Sequence, residues 1–134
     1  MEELLLMVDT AVDLVLLDGT FAVCRLSADE AVPDWAQLGP VSSVTRTARE
    51  LSIVCEQDVV PPEVQSETGW RCLMVEGPLA FTEVGILASL TAPLAASGIS
   101  VFVISTYDTD FLLVKEASLQ RALSSLRNED FRIR

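Results

Sequence analysis

The chain contains no histidine, one lysine and one asparagine among its 134 residues. Without histidine, Ser-His-Asp and Cys-His catalytic arrangements are excluded, and so are the histidine ligands of most zinc sites. The side chain that usually titrates between pH 5 and 8 is missing as well. Carboxylate catalysis remains possible, but few other enzyme mechanisms are left, and we expect a non-enzymatic protein without a metal or another cofactor.

Cysteine is also scarce, with only Cys24, Cys55 and Cys72 in the whole chain. An odd number of cysteines without a Cys-x-x-Cys pair argues against a disulfide framework. Each of the three lies in a predicted strand among apolar neighbours. We therefore expect buried free thiols, which behave as small hydrophobic side chains.

Basic residues number nine against twenty acidic ones, which leaves a formal net charge of −11. Such a chain repels polyphosphates, so nucleic acid and anionic membrane surfaces are poor partners. A cationic or zwitterionic ligand is compatible with this charge.

No apolar run approaches the roughly 18–20 residues of a membrane span. The N-terminal stretch carries Glu2, Glu3, Asp9 and Asp13 where a signal peptide needs a basic start, so we expect no export signal and a cytoplasmic protein. Half of the residues are hydrophobic and the mean hydropathy is +0.40, which predicts an ample core.

The first half predicts short strands and almost no helix. The strands are expected at Leu14–Leu17, Thr20–Leu26, Ser43–Thr47 and Leu51–Glu56. Asp18-Gly19 predicts a hairpin turn between the first two. Single helical turns are expected at Pro33–Leu38 and Pro62–Glu67.

The second half predicts the order β-α-β-β-α-β. Its strands are expected at Trp70–Val75, Ile99–Thr106, Phe111–Lys115 and Phe131–Arg134. The first helix is expected from an N-cap at Thr82 to about Ser97, followed by Gly98 as C-cap, with Pro93 bending it or breaking its final turn. The second helix shows an amphipathic repeat at Leu119, Ala122, Leu123 and Leu126.

An internal repeat is visible at an offset of 60 residues. Thr45–Glu56 reads TRTARELSIVCE and Ser105–Glu116 reads STYDTDFLLVKE, so that Glu50 aligns with Asp110. Although strand composition alone can produce such a match, we favour a duplicated unit. The segment between Leu26 and Ser43 is too short for a long helix, which predicts that the first copy has lost it.

The run GPLAFTEVGILASLTAPLAASGISVFVISTYDTDFLLVKEASLQRAL resembles the ACT domain. It is similar to small bacterial tandem ACT proteins and to the ACT repeats of the cytosolic arginine sensors (the CASTOR family). FAVCRL, DWAQLG and SVTRTARELSIVCE in the first half resemble a degenerate first ACT repeat. The resemblance implies an α+β protein of tandem ferredoxin-like ACT units (βαββαβ), with antiparallel sheets and helices on one face. The expected division is a degenerate N-terminal unit over 1–67 and an ACT domain over 68–134.

The resemblance also implies a function. ACT domains bind amino acids or other small metabolites at interfaces between copies and regulate an attached enzyme or a partner. We therefore expect a regulatory module that binds an amino acid, in a homodimer, with an enzyme or another protein as its regulated partner. This chain shows no attached catalytic domain.

The first candidate element is the predicted helix start at Glu83, Val84, Gly85 and Ile86. Early helical N–H groups lack partners inside the helix and carry partial positive charge, so a carboxylate is stabilised there. Gly85 lets a ligand approach the backbone, or alternatively allows close packing of the helix on a strand.

The second element is Asp108, Thr109 and Asp110, in and beside the turn of the predicted hairpin. Asp110 matches the position that lies beside the bound amino acid in the arginine-sensing relatives, where a carboxylate can bind an ammonium or guanidinium group. Asp108 is expected mainly to stabilise the turn. Ser105 and Thr106 are candidate hydroxyl donors near the same end.

The third element is the start of the central strand, Ser100 and Val101, whose backbone contributes from the opposing ACT repeat in the sensors. Ordinary sheet pairing is an equal alternative for these two residues. A structural dimerisation or partner-docking module without a ligand is the alternative function. A ferredoxin-like phosphatase is disfavoured because no glycine-rich loop with arginine follows the first strand.

Overall fold

The computed structural model describes residues 12–76 and 85–134, and these contain eight strands and two α-helices. The strands are β1 (Asp13–Leu16), β2 (Phe21–Leu26), β3 (Ser43–Arg46), β4 (Leu51–Glu56), β5 (Gln65–Val75), β6 (Phe102–Ser105), β7 (Asp110–Lys115) and β8 (Arg132–Ile133). The helices are α1 (Ile86–Ala96) and α2 (Leu119–Asn128). The predicted α+β class and the β-α-β-β-α-β order of the second half are confirmed.

The chain divides into two compact units. Gly19–Trp70 forms one of them, which we call the inserted unit. The described residues up to Asp18 and Arg71–Arg134 form the other, which we call the discontinuous unit. The division into domains at 67/68 stays a prediction, although β1 belongs to the discontinuous unit and the predicted boundary falls inside β5.

The sheet of the discontinuous unit has the strand order β6-β7-β5-β1-β8. Strand β1 pairs antiparallel with β5 and parallel with β8, so that it lies between them. The predicted hairpin at Asp18-Gly19 is therefore wrong, since β2 pairs with β4 and β5 and not with β1. Tertiary packing explains this difference from the prediction, because Leu14 of β1 is buried in the core of the discontinuous unit.

Both helices cover the same face of this sheet, as predicted. Successive side chains of a strand point to opposite faces, so alternate residues of β5 and β7 share the helix side. The shared core contains Leu73, Val75, Leu112 and Val114 from the strands, Ile86, Leu90 and Leu94 from α1, and Leu119, Ala122, Leu123 and Leu126 from α2. The amphipathic pattern predicted for α2 is thereby confirmed.

Helix α1 begins at Ile86 and not at Thr82, which lies outside the described residues. Its N-cap residue is Gly85 with φ of 87°, a left-handed conformation that glycine adopts without steric strain. The helix continues through Pro93 to Ala96, so the expected broken final turn is absent. Gly98, with φ of 72°, caps the C-terminus as predicted.

Side-chain contacts join the two helices near that C-terminus. The Ser97 and Ser125 hydroxyls lie 2.6 Å apart, and Arg121 donates a hydrogen bond of 3.2 Å to the Ser97 carbonyl. A cation at the C-terminal end of α1 is favourable because the helix dipole is negative there. Neither α1 nor α2 is long and apolar enough to cross a membrane, and the described residues contain no other candidate span.

Strand β8 is held at the edge of the sheet by charge as well as by backbone pairing. The Nε and Nη2 atoms of Arg132 each donate a hydrogen bond of 3.0 Å to the Asp13 carboxylate. The Nη2 atom of Arg134 also pairs with the Glu76 carboxylate. The bidentate pair of Arg132 and Asp13 adds orientation to attraction, which favours the observed register of this two-residue strand.

The inserted unit has the strand order β3-β4-β2-β5 and no long helix. A single turn of 3-10 helix, Asp34–Gln37, stands between β2 and β3 and places Ala36 in the core. This agrees with a first copy that lacks the long helix. The predicted helical turn over Pro62–Glu67 is wrong from Gln65 onward, because β5 already begins there and pairs with Arg25.

Each unit contains a hairpin whose turn is closed by the same hydrogen bonds, and equivalent residues of the two hairpins are 59 positions apart in the sequence. Thr47 N–H donates to the Glu50 carbonyl at 2.9 Å, and Thr106 N–H donates to the Thr109 carbonyl at 2.8 Å. A short 3-10 turn follows each second strand, at Gln57–Val59 and Glu116–Ser118. The predicted offset of 60 is therefore one residue too long, and the structural counterpart of Glu50 is Thr109 rather than Asp110.

All three cysteines are free and buried, as predicted. Burial raises the pKa of the Cys72 thiol to about 12, since the apolar surroundings disfavour a thiolate. The hydrogen bond with Cys24 and burial raise the pKa of Cys55 well above its usual range. Cys55 and Cys72 are therefore expected to be chemically inert in the folded protein, whereas the hydrogen bond with Cys55 lowers the pKa of Cys24.

We expect the native protein at pH 8 to resist alkylation by iodoacetamide at Cys72, while unfolding in urea opens it to reaction. The neutral buried thiol contributes stability that is fully present below about pH 9, the ordinary thiol pKa, and is lost as the pH rises toward about 12. Mass spectrometry of the labelled peptides measures this. A Ser124→Cys variant, whose new thiol is exposed, is the positive control. Equal labelling of Cys72 and the exposed thiol would contradict the expectation.

Gly39→Ala is expected to destabilise the protein more than Gly69→Ala. Both glycines have positive φ, which costs a side chain about 1–2 kcal/mol. A Cβ at Gly39 would also lie 3.2 Å from the Glu56 carboxyl group, whereas a Cβ at Gly69 meets nothing within 4 Å. Urea midpoints measure the difference, and combining Gly39→Ala with Glu56→Ala should remove the extra loss. Equal midpoints for the two single variants would show that Glu56 moves aside freely.

Candidate functional site

The candidate site lies at the end of the discontinuous unit where β5 finishes and the β6–β7 hairpin turns. The Thr109 hydroxyl in that turn donates a hydrogen bond of 2.5 Å to the Val75 carbonyl, which brings the turn to the end of β5. Helix α1 follows β5 and precedes β6 in the chain and is about 16 Å long, so we expect it to begin near this same end and to run toward the start of β6.

The strand register decides which side chains face the helices. Ser105 pairs with Asp110, two residues along from the pair of Val103 and Leu112. Leu112 is in the core beneath the helices and Val103 packs against it. Because side chains two residues apart share a face, Ser105 and Asp110 lie on the helix side of the sheet. The structure therefore brings these two predicted residues together, on the face where α1 begins.

The start of α1 supplies backbone donors that have no partner inside the helix. The first bond inside the helix runs from Ser89 N–H to the Gly85 carbonyl at 2.9 Å, and no side chain caps the helix. The N–H groups of Ile86 and the next two residues therefore have no partner within the helix. Gly85 is exposed, while the Ile86 side chain is buried.

The geometry separates the two explanations offered for Gly85. A Cβ at this position would meet no described atom within 4 Å, so close packing on a strand is not the reason for glycine here. The positive φ of 87° is the reason that the structure provides. The absence of a side chain also leaves the first amides open to approach.

The tip of the hairpin is closed by threonine rather than by aspartate. The Thr106 hydroxyl donates to the Thr109 carbonyl at 3.1 Å and accepts from the Thr109 N–H at 3.2 Å. The exposed Asp108 carboxylate takes no part in these bonds, and Tyr107 beside it is 79% exposed. The turn-forming role expected of Asp108 thus belongs to Thr106, while Asp110 at the start of β7 is half-buried.

The remaining predicted residues lie elsewhere. Ser100 and Val101 precede β6 and are at its opposite end, with Val101 about 13 Å from Ser105 along an extended chain. The structure does not bring them together with Asp110 within one chain. Glu83 and Val84 lie outside the described residues.

Thr109 belongs to the second candidate element, although sequence reasoning assigns it no role in the site. Its hydroxyl bond to Val75 joins residues 34 positions apart, and no local spacing announces such a contact. The pattern Thr-x-x-Thr of the turn indicates only the closing bonds. The partner of the second threonine is a backbone carbonyl, which every residue carries.

The candidate site offers backbone amide donors at the start of α1 and one carboxylate at the start of β7. The amides suit a carboxylate group of a ligand, and Asp110 suits a cation or a hydroxyl. In the part of the chain that the structure describes, no cluster of three or more Cys, Asp or Glu side chains is placed to hold a metal ion. The chemistry available is therefore the recognition of polar and charged groups.

A family model described as the ACT domain matches residues 65–128. An ACT domain therefore occupies this part of the chain. A second model, described as an N-terminal domain, matches residues 19–63. The two matched segments together span nearly all of the described residues.

Relatives with known structures extend the comparison to the whole chain. An Agrobacterium tumefaciens protein solved by X-ray crystallography is 43% identical, with a TM-score of 0.87 and 92% of each chain covered. The regulatory subunit of aspartate kinase from Thermus thermophilus shares the fold, with a TM-score of 0.57 at 8% identity over 90% of this chain and 95% of that one.

Among curated relatives, human cytosolic arginine sensor for mTORC1 subunit 1 is 41% identical over 59 residues. The match covers 43% of this chain and 18% of the length of that sensor. The chain thus corresponds to a small part of the sensor.

Thr106→Val is expected to destabilise the hairpin tip by about 1 kcal/mol, because it removes the hydroxyl that closes the turn. Thr47→Val removes the corresponding hydroxyl in the inserted unit and should cost about as much. Urea unfolding of both variants measures the losses, and Thr106→Ser should retain the wild-type midpoint. A loss for Thr47→Val without one for Thr106→Val would show that the two turns are not equivalent.

Proposed function

We propose that this chain is a non-catalytic, cytoplasmic regulatory module that binds an amino acid at an interface between ACT units of a homodimer. The proposal is supported by the pairing of Ser105 with Asp110 on the helix side of the sheet, and by the expected start of α1, without a side-chain cap, at the same end of that sheet. This end presents donors for an anion and an acceptor for a cation. A zwitterion carries both groups.

The orientation of the ligand follows from these charges. The α-carboxylate is stabilised by the N–H groups at the start of α1, where the helix dipole is positive. The side chain of the ligand then extends toward Asp110. A cationic side chain gains a charge-assisted hydrogen bond from that carboxylate, and the net charge of −11 favours its approach.

Arginine is the first ligand to test, because the sequence is similar to part of a protein named as an arginine sensor. The fold that the chain shares with the regulatory subunit of aspartate kinase is in keeping with a regulatory role. Both relationships support the proposal through similarity, and the site residues support it through their chemistry.

The second copy supplies what one chain lacks. Ser100 and Val101 lie at the far end of β6, so in this proposal they contribute to the site of the other protomer. Among the described strands, β6 pairs with β7. The second candidate function is dimerisation or docking without any ligand.

Arginine at 100 times its Kd is expected to stabilise the protein by about 2.7 kcal/mol in differential scanning fluorimetry. Asp110→Asn should weaken arginine binding by about tenfold or more, since one charge-assisted hydrogen bond is lost. Asp58→Asn makes the same change on an exposed residue of the inserted unit and should leave binding unchanged. Binding of alanine, if measurable, should be insensitive to Asp110→Asn.

A screen of the twenty amino acids decides between the two functions. If no amino acid shifts the thermal midpoint and the protein is a dimer in analytical ultracentrifugation, the ligand-free module is favoured. A shift that survives in Asp110→Asn unchanged would place the ligand elsewhere on the chain.

A further inference from the structure

The last peptide of β5 is held from both sides. The Glu76 N–H donates to the Asp13 carbonyl at 2.8 Å on the β1 side. The carbonyl of the same peptide, that of Val75, accepts the Thr109 hydroxyl at 2.5 Å. In a trans peptide the N–H and C=O point in opposite directions, so the hydroxyl binds on the side away from β1. We call this arrangement the Thr109 clamp.

The inserted unit provides an internal comparison for this hydroxyl. Its equivalent turn has Glu50 at the position of Thr109, and the backbone of Glu50 makes the same closing bonds with Thr47. A carboxylate cannot donate the bond that Thr109 makes. Because the turn closes equally well without the hydroxyl, turn formation does not explain why a threonine stands at residue 109.

The clamp acts where the two halves of the candidate site meet. Thr109 directly precedes Asp110, whose side chain is on the helix side of the sheet. Val75 and Glu76 lie at the end of β5, and the next residue that the structure describes is Gly85 at the start of α1. The bond therefore joins the strand that carries the carboxylate to the strand from which the chain leaves for the helix.

We propose that Thr109 is a positioning residue, which sets the distance between Asp110 and the end of β5 at which the ligand is held. The inference rests on the proposed function, since it assigns a role within the same site. Binding groups must be held within about 0.5 Å of their productive positions to be effective. A clamp through a side chain next to Asp110 supplies that constraint at the tip of a hairpin that solvent otherwise surrounds.

Three full-length variants test the clamp. Thr109→Val keeps the shape and removes the donor, and Thr109→Ser keeps the donor. Thr45→Val makes the same chemical change on an exposed strand residue of the inserted unit. Hydrogen exchange of peptides that span residues 105–112, measured without ligand, reports the clamp itself. Calorimetric titration with arginine reports its effect on binding.

We expect Thr109→Val to accelerate exchange at the tip and to weaken arginine binding by about fivefold, the loss of one ordinary hydrogen bond. Thr109→Ser should restore both to within about twofold of the wild type, and Thr45→Val should change neither. Rescue by serine separates positioning from a general loss of stability, which the thermal midpoints of the variants record.

Each other outcome overturns the inference in a recognisable way. Unchanged exchange in Thr109→Val would show that the hydroxyl does not hold the tip. Faster exchange with unchanged arginine affinity would show that the clamp is structural only. If the wild type binds no amino acid, the proposed function fails first and the positioning role falls with it, while the exchange result still shows whether the clamp exists.

Discussion

The two-residue period of strands β5 and β7 is the constraint on which the rest of the discontinuous unit depends. Leu73 and Val75 on β5, with Leu112 and Val114 on β7, must lie beneath the helices to form a core. A slip of one residue would turn every one of these side chains to the other face. The same period places Asp110 on the helix side, so the core and the candidate site are set by a single register.

The hairpins of the two units share their geometry and differ in their chemistry, as a duplicated hairpin would. The closing threonines Thr47 and Thr106 make the same bonds, and each second strand runs into a short 3-10 turn. The side chains that follow differ in charge, since Arg49 stands where the other copy has Asp108. Backbone geometry depends on the turn closure alone, so the tip residues were free to diverge.

The position of β1 illustrates the limit of local reasoning. Its short apolar run and the Asp18-Gly19 pair predict a hairpin with β2, but β1 pairs with β5 and β8 instead. Burial of Leu14 in the core of the discontinuous unit and the bidentate bond between Asp13 and Arg132 both favour that place. These partners are distant in sequence, and only the assembled sheet reveals them.

Much of the fold could be predicted because its signals are local. The amphipathic repeat of α2, the glycine that caps α1 and the apolar strands of the second half each depend on neighbours within a few residues. The site was predictable in part: Asp110 and Gly85 carry chemistry that a sequence displays, and the Ser105–Asp110 pairing follows from the hairpin. The Thr109 clamp was not predictable, because its acceptor is a backbone carbonyl far along the chain.

The sequence by itself thus determined the elements, the buried thiols and the charge of the candidate site. Tertiary structure alone decided that β1 joins the sheet of the second half, that Ser100 and Val101 stand at the opposite end from Asp110, and that Thr109 bonds to Val75. The physical reason is that periodicity and capping are short-range properties of the chain. The pairing of strands and the meeting of their ends depend on which distant surfaces bury one another.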